Sequence, residues 1–260
     1  MTGAGLRFER EGAVARLVLD RPDAANSINL DLAKALARAA VQCDEDATIR
    51  SVVLTARGKL FCPGGDVGAF ASAGDGLPAL LKDLTIYLHQ AVSRLARMEK
   101  PLVTAVNGAA AGAGFSLAIL GDIALAARSA TFNVAYGAIG LSPDGGSTWL
   151  LPRLVGLRRA QEIMLRNQRL GAEQAAELGV VTRVVDDGAL LEEAMAIAHE
   201  LATGPTFALG RTRALLLNSF GESLEAQMEF EARSIVECGR SAHGQAGVAA
   251  FLARRKPEFD

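Results

Sequence analysis

Two glycine-rich segments contain the residue types that can hold a negatively charged oxygen. Residues 58–67 read GKLFCPGGDV and residues 101–116 read PLVTAVNGAAAGAGFS; we call them the first turn and the second turn. Apolar residues at the start of the second turn predict a buried strand, and the glycines let the backbone bend and lie close to a neighbour. A helix start follows, where backbone N–H groups lack partners and can bind the negative oxygen of an enolate or of a tetrahedral intermediate. The alternative is a close helix–strand contact that needs small residues.

One acidic residue is predicted to lie on a stiff turn. Asp144 follows Pro143 and precedes Gly145 and Gly146, and the sequence beyond them predicts a helix. Proline fixes its own backbone angle, so the Asp144 carboxylate is expected to be held at a helix start. It could act there as a base, or it could cap the helix by accepting backbone N–H groups.

The composition excludes several classes of protein. The chain has 260 residues, of which half are apolar and 5% aromatic, and its formal net charge is -2. This favours an α/β protein with a large core and excludes disorder. The basic residues are not clustered in a way that would indicate nucleic-acid binding. No segment reaches the roughly 18 consecutive apolar residues that a membrane span needs. The three cysteines match no metal-ligand pattern and their odd number fits a reducing compartment, so we predict a cytoplasmic protein with no signal peptide and no metal.

Strands alternate with helices along the first part of the chain, and helices fill the last part. Strands are predicted at 14–19, 51–55, 102–106, 123–126 and 180–185. One helix is predicted to begin at about residue 30, and another is predicted to follow the second turn and to end at residue 120. Further helices are predicted at 77–98, 206–218, 224–237 and 246–253. Because Gly204 and Pro205 precede the last three helices, we predict a core of residues 1–203 and a helical assembly domain of residues 204–260.

Taken together, these motifs resemble the crotonase superfamily, the enoyl-CoA hydratases and isomerases. Phe61–Val67 is similar to the family's F-x-A-G-x-D-[LIV], and Ala105–Gly114 is similar to A-[VI]-x-G-x-A-x-G-x-G. Leu141–Arg153 completes the match, which covers nearly the whole chain. Asp144 matches the single catalytic aspartate of a branch that includes phenylacetate-pathway isomerases. The resemblance implies a spiral of ββα units with a helical C-terminal domain, assembled as trimers or dimers of trimers.

The resemblance also assigns roles to single residues. The two N–H donors of the family's oxyanion hole fall on Gly65 and Ala113; alanine replaces a common glycine and keeps the N–H if its φ is negative. The substrate is an acyl-CoA thioester, so coenzyme A is part of the substrate and no separate cofactor is expected. The backbone groups expected to bind it belong to Ala24, Ala25, Asn26, Gly64, Asp66 and Val67. Arg21 and Lys59 are weaker candidates for its phosphates.

Two departures from the family decide the predicted reaction. The positions of the two hydratase glutamates fall on Ser116 and within 133–138, and neither holds a carboxylate. Water addition is helped by one group that handles water and another that handles the proton at carbon, whereas one base suffices for a 1,3-proton shift. We therefore predict an enoyl-CoA isomerase with Asp144 as the proton carrier. The alternatives are a hydratase, or a non-catalytic acyl-CoA-binding protein.

A dehalogenase-like enzyme is a further alternative. His89 lies where coenzyme A dehalogenases of the superfamily have a base, and these enzymes keep an aspartate and an aromatic residue at the positions of Asp144 and Tyr136. A single histidine on a helix is also a common structural residue. Residues predicted to line the acyl pocket are Phe70, Ser116, Tyr136 and Trp149. Cys62 is either a thiol near the substrate or a small buried apolar residue.

Overall fold

A seven-stranded sheet lies at the centre of the protein. The structure is a computed structural model that describes residues 2–259. The strands of this sheet are β1 (Thr2–Gly3), β2 (Leu6–Glu11), β3 (Val14–Leu19), β4 (Ser51–Ala56), β5 (Leu102–Val106), β7 (Ile123–Ala127) and β10 (Arg183–Val185), in that spatial order. The first two pairs are antiparallel and the others parallel. A smaller sheet has the order β6 (Ala110–Ala111), β8 (Thr131–Asn133) and β9 (Arg169–Gly171).

Helices cover the central sheet and form the C-terminal part of the chain. They are α1 (Leu30–Glu45), α2 (Val67–Ala73), α3 (Leu77–Arg97), α4 (Ala113–Ala118), α5 (Ser147–Val155), α6 (Leu157–Leu165), α7 (Ala172–Glu177), α8 (Leu190–Thr203), α9 (Thr206–Asn218), α10 (Leu224–Arg240) and α11 (Ala242–Leu252). Helices α1 and α3 pack against each other, and α8 packs on β4 and β5. Among the described residues, no helix is long and apolar enough to cross a membrane.

The parallel pairing of β4 and β5 brings the two glycine-rich turns together. Apart from one leucine in each, both strands consist of small and β-branched residues, and both are buried apart from the partly exposed Ala56. Since the carboxyl ends of parallel strands meet at one edge of a sheet, the first turn, which follows β4, and the glycine-rich part of the second turn, which follows β5, become neighbours. The candidate site is built at this edge.

A buried arginine ties the C-terminal helices to the core. Arg213 of α9 donates hydrogen bonds to Asp122 at 2.8 Å and to the carbonyl oxygens of Leu95 and Met98 at the end of α3. Its side chain is only 8% exposed, so the paired Asp122 and the helix-end carbonyls compensate its charge. The division into residues 1–203 and 204–260 stays a prediction, and its terminal residues Met1 and Asp260 lie outside the described residues.

Most predicted elements are present, and the differences lie at their ends. The helix expected from about residue 30 begins there because the Asn29 side chain accepts the N–H of Leu32 at 3.0 Å. The predicted strand at 180–185 was too long, because residues 180–182 form the turn after α7 and only Arg183–Val185 pair with β7. The last helix begins at Ala242, earlier than predicted, because Ser241 caps it by accepting the N–H of Gly244.

Candidate active site

The two glycine-rich turns pack backbone against backbone. The N–H of Ala111 donates to the carbonyl of Cys62 at 2.8 Å, and this contact joins the turns directly. A Cβ added at Gly114 would lie 2.0 Å from the Cys62 oxygen, and one added at Gly108 would lie 2.1 Å from the Lys59 oxygen. No side chain fits in these gaps, so glycine is required at both positions. Cys62 itself is fully buried, which raises the pKa of its thiol to about 12 and supports a packing role.

Two backbone N–H groups beside this contact have no partner in the described part of the chain. Within residues 2–259, the N–H groups of Gly65 and Ala113 donate no hydrogen bond to a backbone or side-chain acceptor. Ala113 is the first residue of α4, and its φ is negative because the positive φ of the bend, 54°, falls on Gly112. A Cβ added at Gly64 would lie 3.2 Å from the Ala113 nitrogen, so the two donors belong to neighbouring backbones. Such a pair is suited to one oxyanion.

Both donors line a cavity of about 410 Å³ whose wall is largely apolar. Its other lining residues are Ile28, Pro63, Val67, Phe70, Leu81, Leu84, Thr85, Leu88, Gly112, Ala135, Tyr136, Ala138, Ile139, Leu141, Ser142 and Asp144. Asp144 is the only acidic residue among them in the described part of the chain. The cavity thus combines apolar walls, two free donors and one carboxylate, the usual composition of a small-molecule site.

The Asp144 carboxylate is held by a side chain and does not cap the helix that follows. Its Oδ1 accepts a hydrogen bond from the Tyr136 hydroxyl, and its carbonyl oxygen accepts one from Ser116 Oγ at 2.9 Å. Helix α5 begins at Ser147 with no side-chain cap, although the Ser147 hydroxyl and N–H both donate to the Asp144 carbonyl. The carboxylate is therefore available for chemistry, with 25% of the side chain exposed.

Tyr136 stays a hydrogen-bond donor because its environment disfavours ionisation. Burial raises the pKa of the phenol well above its ordinary value, and the nearby charge of Asp144 raises that pKa further. The neutral hydroxyl thus donates its hydrogen bond to Asp144 Oδ1. Within residues 2–259, Oδ2 accepts no hydrogen bond, so this oxygen is free to take a proton from a bound molecule.

His89 lies next to Asp144 but is bonded to the following residue. The N–H of Gly145 donates to His89 Nε2 at 3.1 Å, whereas the same nitrogen is 3.6 Å from Asp144 Oδ2. The distance of 3.6 Å is longer than a hydrogen bond. The imidazole, half of whose surface is exposed, therefore contacts the turn that carries Asp144 through its backbone.

The structure separates the four predicted pocket residues into two pairs. Phe70 and Tyr136 line the cavity. Ser116 is fully buried behind its wall, because its hydroxyl bonds the Asp144 carbonyl. Trp149 lines a neighbouring cavity of about 390 Å³, where the Arg153 guanidinium lies 3.9 Å from its ring centroid. The assignment of Ser116 and Trp149 to the wall of this cavity is therefore corrected.

The loop predicted to hold coenzyme A is braced by a buried asparagine. Asn26 is 1% exposed and adopts a positive φ of 62°. Its side-chain oxygen accepts the N–H of Arg21 at 2.8 Å, and its amide donates to the carbonyls of Arg57 and Leu60. Together these bonds hold the loop of Ala24 and Ala25 against the chain that leads into the first turn.

The acidic residue of the first turn has a structural partner. Asp66 caps α2 by accepting the N–H of Ala69 at 3.2 Å and lies 3.4 Å from Arg21 Nη2. Arg21 also donates to the carbonyl of Ser27, so its guanidinium is already engaged. Lys59 is exposed. Of the two basic residues considered for phosphate binding, Arg21 is thus already bonded within the protein, whereas Lys59 is exposed at the surface.

Sequence reasoning missed one wall of the cavity. Leu81, Leu84, Thr85 and Leu88 of α3 line it. Their spacing of three and four residues is that of a buried helical stripe, and the sequence analysis predicted only a helix at 77–98. The pattern cannot distinguish a face that lines a cavity from one that packs on the core.

The chain is similar to known proteins over nearly its whole length. The family model described as "Enoyl-CoA hydratase/isomerase" matches residues 9–260. The chain is 42% identical over 250 residues to the 1,2-epoxyphenylacetyl-CoA isomerase of Escherichia coli strain K12, a match that covers 96% of this chain and 95% of that protein. It is 31% identical over 250 residues to 4-chlorobenzoyl coenzyme A dehalogenase-2 of an Arthrobacter species, covering 96% and 91%.

A solved structure agrees with the fold. The crystal structure of a putative enoyl-CoA hydratase/isomerase from Mycobacterium abscessus superposes with a TM-score of 0.94 at 33% identity, covering 98% of this chain and 99% of that one. The predicted α/β fold with a helical C-terminal region is confirmed, as is the resemblance to the phenylacetate-pathway branch.

Proposed function

This chain belongs to the enoyl-CoA hydratase/isomerase family, and we propose that it is an enoyl-CoA isomerase that moves a double bond by proton transfer. The observation that supports this most strongly is the single carboxylate of the cavity. Asp144 lines the same cavity as the N–H groups of Gly65 and Ala113; one of its carboxylate oxygens is bonded to Tyr136, and the other oxygen and both N–H groups have no hydrogen-bond partner within residues 2–259. This set provides one base and one oxyanion-binding pair.

The proposed reaction uses one carboxyl group and two backbone donors. The thioester carbonyl oxygen of a 3-enoyl-CoA accepts the N–H groups of Gly65 and Ala113. Oδ2 of Asp144 takes a proton from C2, which gives a dienolate whose negative oxygen the two donors stabilise. The same carboxyl returns the proton at C4, and the product is the 2-enoyl-CoA. Removal of one such donor typically costs about 10²- to 10³-fold in rate, and a positioned base contributes about 10²- to 10⁴-fold.

Hydration is disfavoured by what occupies the two glutamate positions. Ser116 is buried and bonded to the Asp144 carbonyl, so it cannot handle water in the cavity. In the segment of the second position, the Asn133 amide donates to the carbonyl of Asn167 at 3.0 Å and serves the loop. Within the described residues, Asp144 has no second carboxylate in the cavity to share the work of water addition.

A dehalogenase-like reaction is disfavoured by the bonding of His89. A histidine that activates water needs a ring nitrogen free to take the proton. The Nε2 that faces Asp144 already accepts the N–H of Gly145. The relatives include 4-chlorobenzoyl coenzyme A dehalogenases, so 4-chlorobenzoyl-CoA should be tested beside the enoyl substrates.

Incubations with a 3-enoyl-CoA, a 2-enoyl-CoA and 4-chlorobenzoyl-CoA distinguish the proposed function from its alternatives. In deuterated water, the wild type should convert a 3-enoyl-CoA to the 2-enoyl-CoA with little 3-hydroxyacyl-CoA, as followed by mass spectrometry. Predominant 3-hydroxyacyl-CoA from a 2-enoyl-CoA would identify a hydratase, and chloride release from 4-chlorobenzoyl-CoA would identify a dehalogenase. Binding without product and without exchange of the C2 protons would identify a non-catalytic acyl-CoA-binding protein.

Coenzyme A is proposed to bind mainly through backbone groups of Ala24–Asn26 and Gly64–Val67. The two segments are neighbours, because the N–H of Ile28 donates to the Gly64 carbonyl at 2.7 Å and the N–H of Asp66 donates to the Ile28 carbonyl. Lys59 is the proposed phosphate contact, since Arg21 is already paired with Asp66.

The proposed assembly is a homotrimer or a dimer of trimers. Several large apolar residues of the last three helices are at least half exposed, namely Leu216, Leu224, Met228, Ile235, Val248, Phe251 and Leu252. So much apolar surface on one segment is typical of a protein interface. Light scattering should give at least three subunits, and a stable monomer at micromolar concentration would contradict this. We also propose a cytoplasmic location, consistent with three cysteines that are all free.

A further inference from the structure

We propose that His89 is a positioning residue that acts on Asp144 through the backbone of Gly145, and that protonation of His89 turns this support into a block of the base. This inference rests on the proposed function, because it assumes that Asp144 Oδ2 is the oxygen that moves the proton. It gives His89 a task other than taking a proton from the substrate or from water.

The hydrogen bond from Gly145 determines the tautomer of His89. A ring nitrogen of histidine either carries a hydrogen or accepts one, and the backbone N–H of Gly145 can only donate. With the Gly145 nitrogen 3.1 Å away, His89 Nε2 is the acceptor. The proton of the neutral ring therefore lies on Nδ1. In this form the ring holds the turn and donates nothing to Asp144.

Three side chains from other elements bond to the turn that carries the base, and His89 is one of them. Ser116 bonds the Asp144 carbonyl, Tyr136 bonds Oδ1, and His89 bonds the next N–H along the chain. Gly145 has a positive φ of 62°, and a Cβ added there would lie 2.8 Å from the Ser116 Cβ. The turn is thus closely packed on one side and supported by His89 on the other. Without His89, the Gly145 N–H would have no acceptor among the described residues, and Asp144 could shift.

Protonation reverses the effect of His89. A ring that carries a proton on Nε2 cannot accept the Gly145 N–H, and the new N–H lies 3.6 Å from Asp144 Oδ2. A small movement would let it donate to that oxygen, which would occupy the base.

The charges around His89 favour contact between the protonated ring and Asp144. Within residues 2–259, Asp144 on the neighbouring turn is the one carboxylate within 4.0 Å of the ring nitrogens, and Tyr136 beside it stays neutral. Arg97 lines the same side cavity as His89, and Arg153 lies over Trp149 there. The neighbours of His89 one turn away on α3 are the uncharged Thr85, Ile86, Val92 and Ser93. On the α1 side, Lys34 and Arg38 line a separate cavity with Tyr87 and Gln90.

Two variants distinguish the effect of the hydrogen bond to Gly145 from the effect of the imidazole ring itself. His89→Gln places an amide oxygen near the Nε2 position, where it can accept the Gly145 N–H but cannot take up a proton. His89→Leu removes the acceptor. At about pH 8 we expect His89→Gln to keep kcat within about threefold of the wild type. We expect His89→Leu to lose about 10-fold in kcat with little change in KM, because a base displaced by about 1 Å can cost up to about 10²-fold. His199→Gln, on the distant pair with Glu11, is the matched control and should behave as wild type.

The pH dependence adds a readout that a merely structural role would not change. Between about pH 8 and pH 5.5, kcat of the wild type should fall by a larger factor than kcat of His89→Gln. Equal factors for the two proteins would overturn the proposed block of the base. Full activity of His89→Leu would overturn the positioning role.

A spectroscopic test is independent of activity. Nitrogen-15 NMR of the imidazoles, with His89→Gln to assign one of the three histidines, should show His89 as the Nδ1–H tautomer at about pH 8. An Nε2–H tautomer would overturn the proposal. If the wild type does not isomerise 3-enoyl-CoA, the proposed function fails and the NMR result still stands; if Asp144→Asn is inactive but His89→Leu is fully active, only the present inference fails.

Discussion

The hydroxyl of Tyr136 donates a hydrogen bond to Oδ1 of Asp144 at the wall of the cavity that Gly65 and Ala113 also line. This contact makes the two oxygens of the carboxylate different. Oδ1 is fixed by a phenol that burial and the charge of Asp144 keep protonated, and Oδ2 is left for the substrate. The proposed chemistry depends on this difference, because one carboxyl must face both C2 and C4 of the acyl group.

Removing the Tyr136 hydroxyl should reduce the rate without abolishing binding. Tyr136→Phe keeps the ring in the cavity wall but leaves Asp144 free to rotate. A hydrogen bond to a charged group is worth about 1.5 to 3 kcal/mol, so we expect kcat for 3-enoyl-CoA to fall about 10-fold or more. Steady-state kinetics will show this. Tyr87→Phe is the control, since Tyr87 contacts Lys34 outside the cavity; equal losses in both variants would contradict a specific role for Tyr136.

Placing a side chain between the two turns should disrupt the oxyanion-binding pair. A Cβ at Gly64, where φ is +101°, would lie 3.0 Å from the Ala111 oxygen and 3.2 Å from the Ala113 nitrogen. Gly64→Ala should therefore lower kcat by about 10²-fold, because it displaces both donors. Gly188→Ala, at a position with open space around it, should leave kcat unchanged. Circular dichroism will verify the fold, and a Gly64→Ala protein with wild-type kcat would contradict the assigned donors.

Saturated acyl-CoA should stabilise the protein. A ligand that binds only the folded state at 100 times its Kd adds about 2.7 kcal/mol to the free energy of unfolding. We expect a rise in melting temperature that is larger with acyl-CoA than with coenzyme A alone, because the acyl group fills the apolar cavity. Lys59→Ala should reduce the rise that coenzyme A alone produces. A melting temperature that is insensitive to saturating acyl-CoA would contradict the proposed binding.

Buried thiols should make the protein sensitive to alkali. Burial raises the pKa of Cys43 from its ordinary value of 9.0 to about 12. Its contribution to stability is thus present in full below about pH 9 and is lost as the pH rises towards 12, at up to about 1.4 kcal/mol per pH unit. Urea unfolding at about pH 7 and about pH 10.5 should show a smaller loss for Cys43→Ala than for the wild type, although the variant is less stable at neutral pH by about 1 kcal/mol. Parallel losses would contradict the buried thiol's role.

The sequence predicted the central strands and the two turns because local signals are strong there. β-branched residues mark β4 and β5, and the glycines of the turns are required by the close approach of the Cys62 carbonyl to Gly114. The first strands were missed, because charged residues such as Arg7 and Glu9 conceal the alternation of β2. That strand becomes evident only when it pairs with β3. The local pattern of apolar and polar residues does not show which distant segments pair.

The candidate site was predicted in part. Asp144 and Tyr136 were both identified from sequence, but their hydrogen bond depends on the turn geometry between them. Ser116 was expected in the pocket because it replaces a glutamate, and a short side chain at that position instead reaches the Asp144 carbonyl. The contact between His89 and Gly145 joins residues 56 positions apart, so no local pattern could have indicated it.

The measurement that tests the account most directly compares Asp144→Asn with the wild type on a 3-enoyl-CoA. Asparagine keeps the shape and a hydrogen-bond acceptor for Tyr136 but cannot carry the proton. We expect unchanged affinity for a saturated acyl-CoA by calorimetry and a loss of isomerase kcat of about 10²-fold or more. Asp75→Asn, at an exposed position outside the cavity, should match the wild type. Isomerisation by Asp144→Asn at the wild-type rate would contradict the assignment of Asp144 as the base.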